Sequence, residues 1–169
     1  MVEILAFAAI CIFVVGILWL VSSAPSQPQT TTYTLAHDFT LTDVDGNTFR
    51  LSDQQGKVVV LEFMRTTCEY CIAESPNLRE LRAKFGGDVV MVMISVDPKG
   101  DTDSVLRDYR NQNAVGWTAA ADKGYAVQQV YAVQATPTIF IIDKNGYIKY
   151  QHVGVTDSSI LIAEVGSLT

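Results

Sequence analysis

Residues 58–71 read VVVLEFMRTTCEYC, an apolar run followed closely by two cysteines that are separated by two residues. The run is typical of a buried strand, and the cysteine pair lies where a helix is expected to begin. A helix N-terminus carries partial positive charge and unpaired N–H groups, and both stabilise a thiolate. Because the thiolate is the species that attacks disulfides, this stretch predicts thiol–disulfide exchange rather than a structural cross-link.

The length of the chain, 169 residues, indicates one domain and an appendage. The appendage is predicted to be a transmembrane anchor at residues 1–22, because the uncharged run from Ile4 to Val21 is long enough to span a bilayer as a helix. A cleaved signal peptide is the alternative, and the absence of Lys or Arg before the apolar run disfavours it. A flexible linker is predicted at residues 23–35, which are rich in Ser, Thr, Pro and Gln, and the folded domain at residues 36–169.

Charge gives information about partners and location. The net charge is −6 and no basic cluster is present, so no nucleic acid is expected as a partner. Neither flank of the apolar segment carries Lys or Arg before Arg50, so charge does not orient it in the membrane. A domain that handles disulfides suits an oxidising compartment, which predicts a single-pass membrane protein with an extracytoplasmic redox domain.

The order of elements after residue 36 indicates an α/β domain. A hairpin around residues 45–47 comes first, followed by a strand at 57–63, a helix at 68–85, a strand at 89–96 and helices at 102–112 and 125–131. A hairpin of strands at 138–143 and 147–153 and a helix at 158–165 complete the domain. Alternation of strands and helices implies crossover connections, so the central strands of the sheet are expected to be parallel.

Four local patterns carry a resemblance to a known family. They are the Cys68-x-x-Cys71 pair, its continuation Cys71-Ile-Ala-Glu74-Ser-Pro76, the stretch Ala135-Thr136-Pro137-Thr138 before a strand, and the turn Asp143-Lys-Asn-Gly146. Their order over about residues 35–166 resembles the thioredoxin fold, and the extra N-terminal β-hairpin is similar to that of the TlpA/ResA-like, membrane-anchored thiol–disulfide oxidoreductases. Thr66-Thr67 departs from the pattern, since that family usually has Trp before the first cysteine.

The resemblance implies a catalytic role for four residues. Cys68 would be the exposed attacking thiolate, and Cys71 the buried thiol that resolves the mixed disulfide. Glu62 matches a buried carboxylate that relays protons to the resolving thiol, and its apolar strand should raise its pKa. Glu74 would tune the pKa values of the cysteines and help to bind substrate, with an ordinary exposed helical glutamate as the alternative.

The resemblance also implies how substrates and electrons are handled. Pro137 is expected to be cis and to present the backbone of Thr136 to an extended substrate. Glu69 and Tyr70 are expected to contact the substrate and to favour a reducing couple. No organic cofactor is expected, because the electrons reside in the cysteine pair. Typical substrates would be exported proteins such as apocytochromes c or cuproproteins, and a membrane-embedded thiol–disulfide protein would supply the electrons.

Two other functions stay open. The stretch from Ser95 to Tyr109 is similar to Sco-type copper chaperones, and two sulfurs still bind Cu(I), but residues 131–137 lack the histidine that such proteins use as a third ligand. His37 and His152 are interpreted as surface or packing residues. A peroxiredoxin is the lesser alternative, and Arg65 stands where that family has a threonine.

Overall fold

The computed structural model describes residues 33–169, so the predicted anchor and most of the predicted linker lie outside the described residues. Within residues 33–169, no helix is both long enough and apolar enough to cross a membrane. Thr34–Leu35 form strand β1, so the sheet begins inside the predicted linker of residues 23–35.

The described residues form eight strands and four α-helices. The strands are β1 (Thr34–Leu35), β2 (Thr40–Thr42), β3 (Thr48–Arg50), β4 (Val58–Met64), β5 (Val89–Ser95), β6 (Thr118–Ala121), β7 (Thr138–Ile142) and β8 (Tyr147–Val153). The helices are α1 (Glu69–Phe85), α2 (Asp103–Gln112), α3 (Ala126–Val130) and α4 (Ser158–Gly166). The sequence predicts all of these elements except β1 and β6.

The main sheet has the strand order β1-β8-β7-β4-β5-β6. Strands β4, β5 and β6 run parallel, and β7 is antiparallel to β4. The expectation of parallel central strands is therefore correct for β4 and β5 and wrong for β7. Strands β2 and β3 pair with each other as a separate hairpin. Strand β4 lies between β7 and β5, and all seven of its residues are buried. The cysteine pair therefore follows a strand in the middle of the sheet. Sites in open α/β sheets usually lie at the carboxyl ends of such strands.

Apolar side chains fill both faces of the sheet. Even-numbered residues of β4 pack with α1, α2 and α4, whereas its odd-numbered residues pack with the β2–β3 hairpin and α3. Successive side chains of a strand point to opposite faces, so Glu62 projects from β4 toward the face covered by α1. A carboxyl group therefore lies in the apolar layer beneath the cysteine-bearing helix.

Candidate active site

The first cysteine caps helix α1. Helix α1 begins at Glu69, and Cys68 is its N-cap, with extended backbone angles of φ −86° and ψ 112°. The Cys71 amide donates a hydrogen bond to Cys68 Sγ over 3.2 Å. The sulfur thus occupies the place usually taken by a hydroxyl or carboxylate cap, where helix N–H groups and the helix dipole favour negative charge. The predicted position of the pair at the helix start is confirmed.

The two cysteines are free thiols in contrasting environments. Cys68 is partly exposed, and Cys71 is fully buried. Partial burial opposes ionisation of Cys68, but hydrogen bonds with the side chains of Cys71 and Thr136 and with the backbone of Cys71 and Tyr70 outweigh it, so the pKa of Cys68 is lowered. Burial, together with the hydrogen bond to Cys68, raises the pKa of Cys71 to about 12. Cys68 is therefore the thiol that ionises first and that an outside disulfide can reach.

The loop before β7 lies against the reactive sulfur. The Thr136–Pro137 peptide bond is cis, as expected. Cys68 Sγ lies 3.4 Å from the carbonyl oxygen of Thr136, to which the thiol donates. The Gly154 amide donates to the carbonyl of Pro137 over 2.8 Å, which ties this loop to the end of β8. The structure thus brings Thr136 and Cys68 together across 68 positions in the chain.

The two residues between the cysteines are exposed. Glu69 is in the first turn of α1, and Tyr70 exposes 68% of its surface. Both side chains are accessible to a bound protein, as the predicted substrate contact requires.

Glu62 is the buried carboxyl in the layer beneath α1. Its side chain is 3% exposed, and Oε1 has no hydrogen-bond partner among the described residues. Burial raises the pKa of Glu62 to about 8, and the nearby negative charges of Glu74 and Cys68 add to the effect. The group is therefore poised to gain or lose a proton near neutral pH, which a proton relay requires.

Glu74 is fully buried, so the alternative of an exposed helical glutamate is wrong. Its Oε2 accepts a hydrogen bond from the Thr156 amide over 2.7 Å, whereas Oε1 has no partner in the described part of the chain. Burial raises the pKa of Glu74 to about 7, against the opposing effects of Thr156, Asn77 and His152. Because it is buried, Glu74 is not accessible to a bound protein, which is at odds with the expected help in binding substrate.

Sequence reasoning did not assign Thr156, Ser75 or Tyr109 to the site. The Tyr109 hydroxyl lies 3.3 Å from Ser75 Oγ, which donates to the carbonyl of Cys71 over 3.2 Å. Burial and the charges of Glu62 and the cysteines raise the pKa of Tyr109 to about 12. The apolar face of α2 predicts that Tyr109 points inward, but no local pattern links Thr156 to Glu74, which lies 82 positions away.

Metal-ligating side chains are sparse around the cysteines. Within residues 33–169, no group of three or more His, Cys, Asp or Glu side chains could hold a metal ion. His152 bonds Glu164 over 2.7 Å, between its Nε2 and the carboxylate Oε2. The histidine predicted to be a surface or packing residue therefore forms an ion pair between β8 and α4 when it is protonated.

Comparison with known proteins gives the same chemistry. Residues 33–151 match the AhpC/TSA family. The chain is 35% identical over 119 residues to the thiol-disulfide oxidoreductase ResA of Bacillus thuringiensis, which covers 70% of this chain and 68% of that protein. ResA of Geobacillus kaustophilus is 34% identical over 117 residues, covering 68% of this chain and 64% of that one.

Solved structures agree with the thioredoxin-like fold. A protein of Chlorobium tepidum assigned as the thiol:disulfide interchange protein DsbE superposes with a TM-score of 0.72 and 29% identity, covering 80% of this chain and 96% of that chain. The exposed lipoprotein thioredoxin Etrx1 of Streptococcus pneumoniae superposes with a TM-score of 0.65 and 29% identity, covering 78% of this chain and 100% of that chain. With a capping thiol of lowered pKa, a buried partner thiol and these relatives, the chain belongs to the AhpC/TSA family and is a ResA-like thiol–disulfide oxidoreductase of the thioredoxin superfamily.

Proposed function

We propose that this oxidoreductase is a reductant, in which Cys68 attacks a disulfide of a client protein and Cys71 completes the reduction. The observation that carries the roles of the two cysteines is the contrast between their thiols, whereas the direction toward reduction rests on the negative charge of Glu69 beside Cys68. Cys68 is partly exposed and has a lowered pKa, whereas Cys71 is fully buried and its pKa is raised to about 12. An accessible thiolate beside a protected thiol gives the two steps of exchange a defined order.

In the first step, the Cys68 thiolate forms a bond to one client sulfur. The client S–S bond breaks, and the other client sulfur leaves as a thiolate that takes a proton from solvent. The carbonyl of Thr136 lies 3.4 Å from Cys68 Sγ, so an extended client segment that pairs with this backbone would bring its disulfide to the attacking sulfur. The exposed Glu69 and Tyr70 follow Cys68 in the chain and are proposed to contact the same segment.

In the second step, Cys71 transfers its proton to Glu62 and attacks Cys68 Sγ. The Cys68–Cys71 bond forms while the mixed disulfide breaks, and the client leaves as a thiolate. The first step prepares the second, because the hydrogen bond and charge of Cys68 raise the pKa of Cys71 and its charge also raises that of Glu62. Once Cys68 is in the mixed disulfide, that charge is gone, so Cys71 ionises more readily and Glu62 is more often the carboxylate that accepts the proton.

The net reaction transfers two electrons from the Cys68–Cys71 dithiol to the client disulfide. We propose that no organic cofactor takes part, and that a membrane-embedded thiol–disulfide protein re-reduces the domain. Residues 1–22 would tether it outside the cytoplasm, facing exported clients such as apocytochromes c or cuproproteins. Glu74 is proposed to tune the site by way of Glu62, since its charge is one of the causes that raise the pKa of Glu62.

A redox titration with thiol trapping tests this function. The metal-free protein is equilibrated in glutathione buffers of graded potential, and free thiols are counted by alkylation and mass spectrometry. A reversible two-electron couple near roughly −270 mV supports a reductant, whereas a value near roughly −120 mV would make the protein a disulfide donor. Cys68→Ser should abolish the couple, and Cys11→Ser, in the predicted anchor, is the matched control that should keep it. No reversible couple in the wild-type protein, or turnover of a client disulfide by Cys68→Ser, would refute the mechanism.

A further inference from the structure

A buried carboxylate holds the chain just before the reactive cysteine. Asp101 lies between β5 and α2 and is 2% exposed. Its Oδ2 accepts hydrogen bonds from the Thr66 amide at 3.0 Å and from Ser95 Oγ at 2.6 Å, and its Oδ1 accepts one from Thr66 Oγ1 at 2.5 Å. One side chain thus binds both the backbone and the side chain of a residue two positions before Cys68.

Thr66 is part of the turn that leads into the nucleophile. The Cys68 amide donates to the carbonyl of Arg65 over 3.1 Å and closes a four-residue turn with Thr66 as its second residue. Fixing Thr66 therefore fixes the approach of the chain to the N-cap position. From that position Cys68 Sγ meets the Cys71 amide and the Thr136 carbonyl, and both distances depend on where the turn ends.

Asp101 is itself firmly anchored. Its amide donates to the carbonyl of Asp97 over 2.7 Å, and the Asp97 amide donates to Ser95 Oγ over 3.1 Å. The Val96 amide donates to the carbonyl of Met64 over 3.0 Å, which joins the ends of β4 and β5. The carboxylate consequently spans two rigid segments of the central sheet.

No cation neutralises this carboxylate in the described part of the chain, since none of the ion pairs there includes Asp101. A buried carboxylate held only by neutral donors carries a desolvation cost, and each of the three hydrogen bonds helps to offset it. Thr66 supplies two of those three hydrogen bonds, one from its amide and one from its hydroxyl.

We propose that Asp101 is a positioning residue that, through Thr66, holds the turn before Cys68 in the geometry required for attack on a disulfide. The inference rests on the proposed function, in which Cys68 is the nucleophile. Asp101 does not touch the reacting sulfur and takes no part in proton or electron transfer.

The test compares Thr66→Val with Thr66→Ser, because the first loses the hydroxyl and the second keeps it while the charge of Asp101 is unchanged. The readouts are the second-order rate of client-disulfide reduction and the pH midpoint of Cys68 alkylation by iodoacetamide, both measured well below the unfolding temperature. Thr66→Val should slow reduction about tenfold and move the midpoint upward, since a displaced sulfur loses its donors. Thr66→Ser should behave like the wild-type protein.

Asp101→Asn supplies the second arm, with Asp103→Asn as a control that removes an exposed carboxylate paired with Lys123. Asp101→Asn should also slow reduction and raise the midpoint, and adding Thr66→Val should cause little further loss because both changes break the same contact. Asp103→Asn should leave both readouts unchanged. Should Asp101→Asn not fold, Ser95→Ala removes one donor from the same carboxylate and should produce a smaller change of the same kind.

Two outcomes would overturn the proposal. If Thr66→Val and Asp101→Asn lower the unfolding temperature but leave the rate and the midpoint as in the wild-type protein, Asp101 has only a structural role. If Asp101→Asn lowers the midpoint and Thr66→Val leaves it unchanged, Asp101 acts through its charge and not through position. Failure of the proposed function gives a different result. The wild-type protein then reduces no disulfide, whereas the midpoint of Cys68 alkylation still differs between the wild-type protein and these variants.

Discussion

Replacing Glu62 with Gln is expected to change how the stability of the protein depends on pH. The pKa of Glu62 rises from its ordinary value of 4.5 to about 8 because the carboxyl is buried in the layer beneath α1. The folded state therefore binds this proton more tightly than the unfolded state does. The contribution of the protonated Glu62 carboxyl to the unfolding free energy is fully present below pH 4.5 and is lost as the pH rises toward 8.

The size of the effect follows from the two pKa values, which lie 3.5 pH units apart. Each unit corresponds to about 1.4 kcal/mol of unfolding free energy, so the full loss is about 5 kcal/mol. Glutamine carries no charge at any of these pH values and does not suffer the loss. The unfolding free energy of Glu62→Gln, minus that of the wild-type protein, should therefore rise by about 1.4 kcal/mol per pH unit between about pH 5 and pH 7.

Denaturant unfolding of both proteins in the reduced state, at several pH values over this range, measures that difference. Glu74 is present in both proteins, so its own titration largely cancels. Glu69→Gln is the matched control, because it removes an exposed carboxylate from the same helix region. A difference between Glu62→Gln and the wild-type protein that stays constant with pH would refute the reasoning, since it would show that Glu62 holds no proton beyond its ordinary range.

Three further predictions follow from the two thiols and the core around them. Cys71→Ser should accumulate a stable mixed disulfide with a client, seen as one band on a non-reducing gel that a reductant removes; free turnover would contradict the assigned resolving role. Iodoacetamide should modify Cys68 and spare Cys71 in the folded, reduced protein, and mass spectrometry of the peptides identifies which cysteine reacts; equal labelling would contradict the burial of Cys71. Leu78→Ala, on the buried face of α1, should cost about 2–5 kcal/mol of unfolding free energy. The exposed Ile72 is its control in the same helix, and an equal cost for Ile72→Ala would contradict the packing.

The elements that the sequence predicts best are those with a strong local pattern. Strand β4 and helix α1 agree with prediction to within a residue, because a continuous apolar run precedes a helix that a cysteine caps. Strand β6 reads TAAA and has neither a β-branched run nor alternation. It becomes a strand only because it pairs with β5 in the parallel sheet. Strand β1 has two residues and depends in the same way on pairing with β8.

In the site, too, the sequence predicts the local features and misses the contacts between distant residues. The cysteine pair and its place at a helix start are local, so spacing alone predicts them. The burial of Glu74 depends on the Thr156 amide, which α1 meets only after the chain has completed the sheet. The contact between Asp101 and Thr66 joins residues 35 positions apart, and no pattern in either segment points to the other.

The sequence by itself determined the reacting groups of this protein, two cysteines at the start of a helix after a buried strand, and it predicted disulfide exchange while leaving two other functions open. Only the tertiary structure decided that Glu74 is buried and what pKa each of the two buried carboxyls has. The physical reason is that a pKa depends on burial and on neighbouring charges. Glu74 on α1 and Cys68 at its N-cap act on Glu62 of β4 only when the helix packs over the sheet.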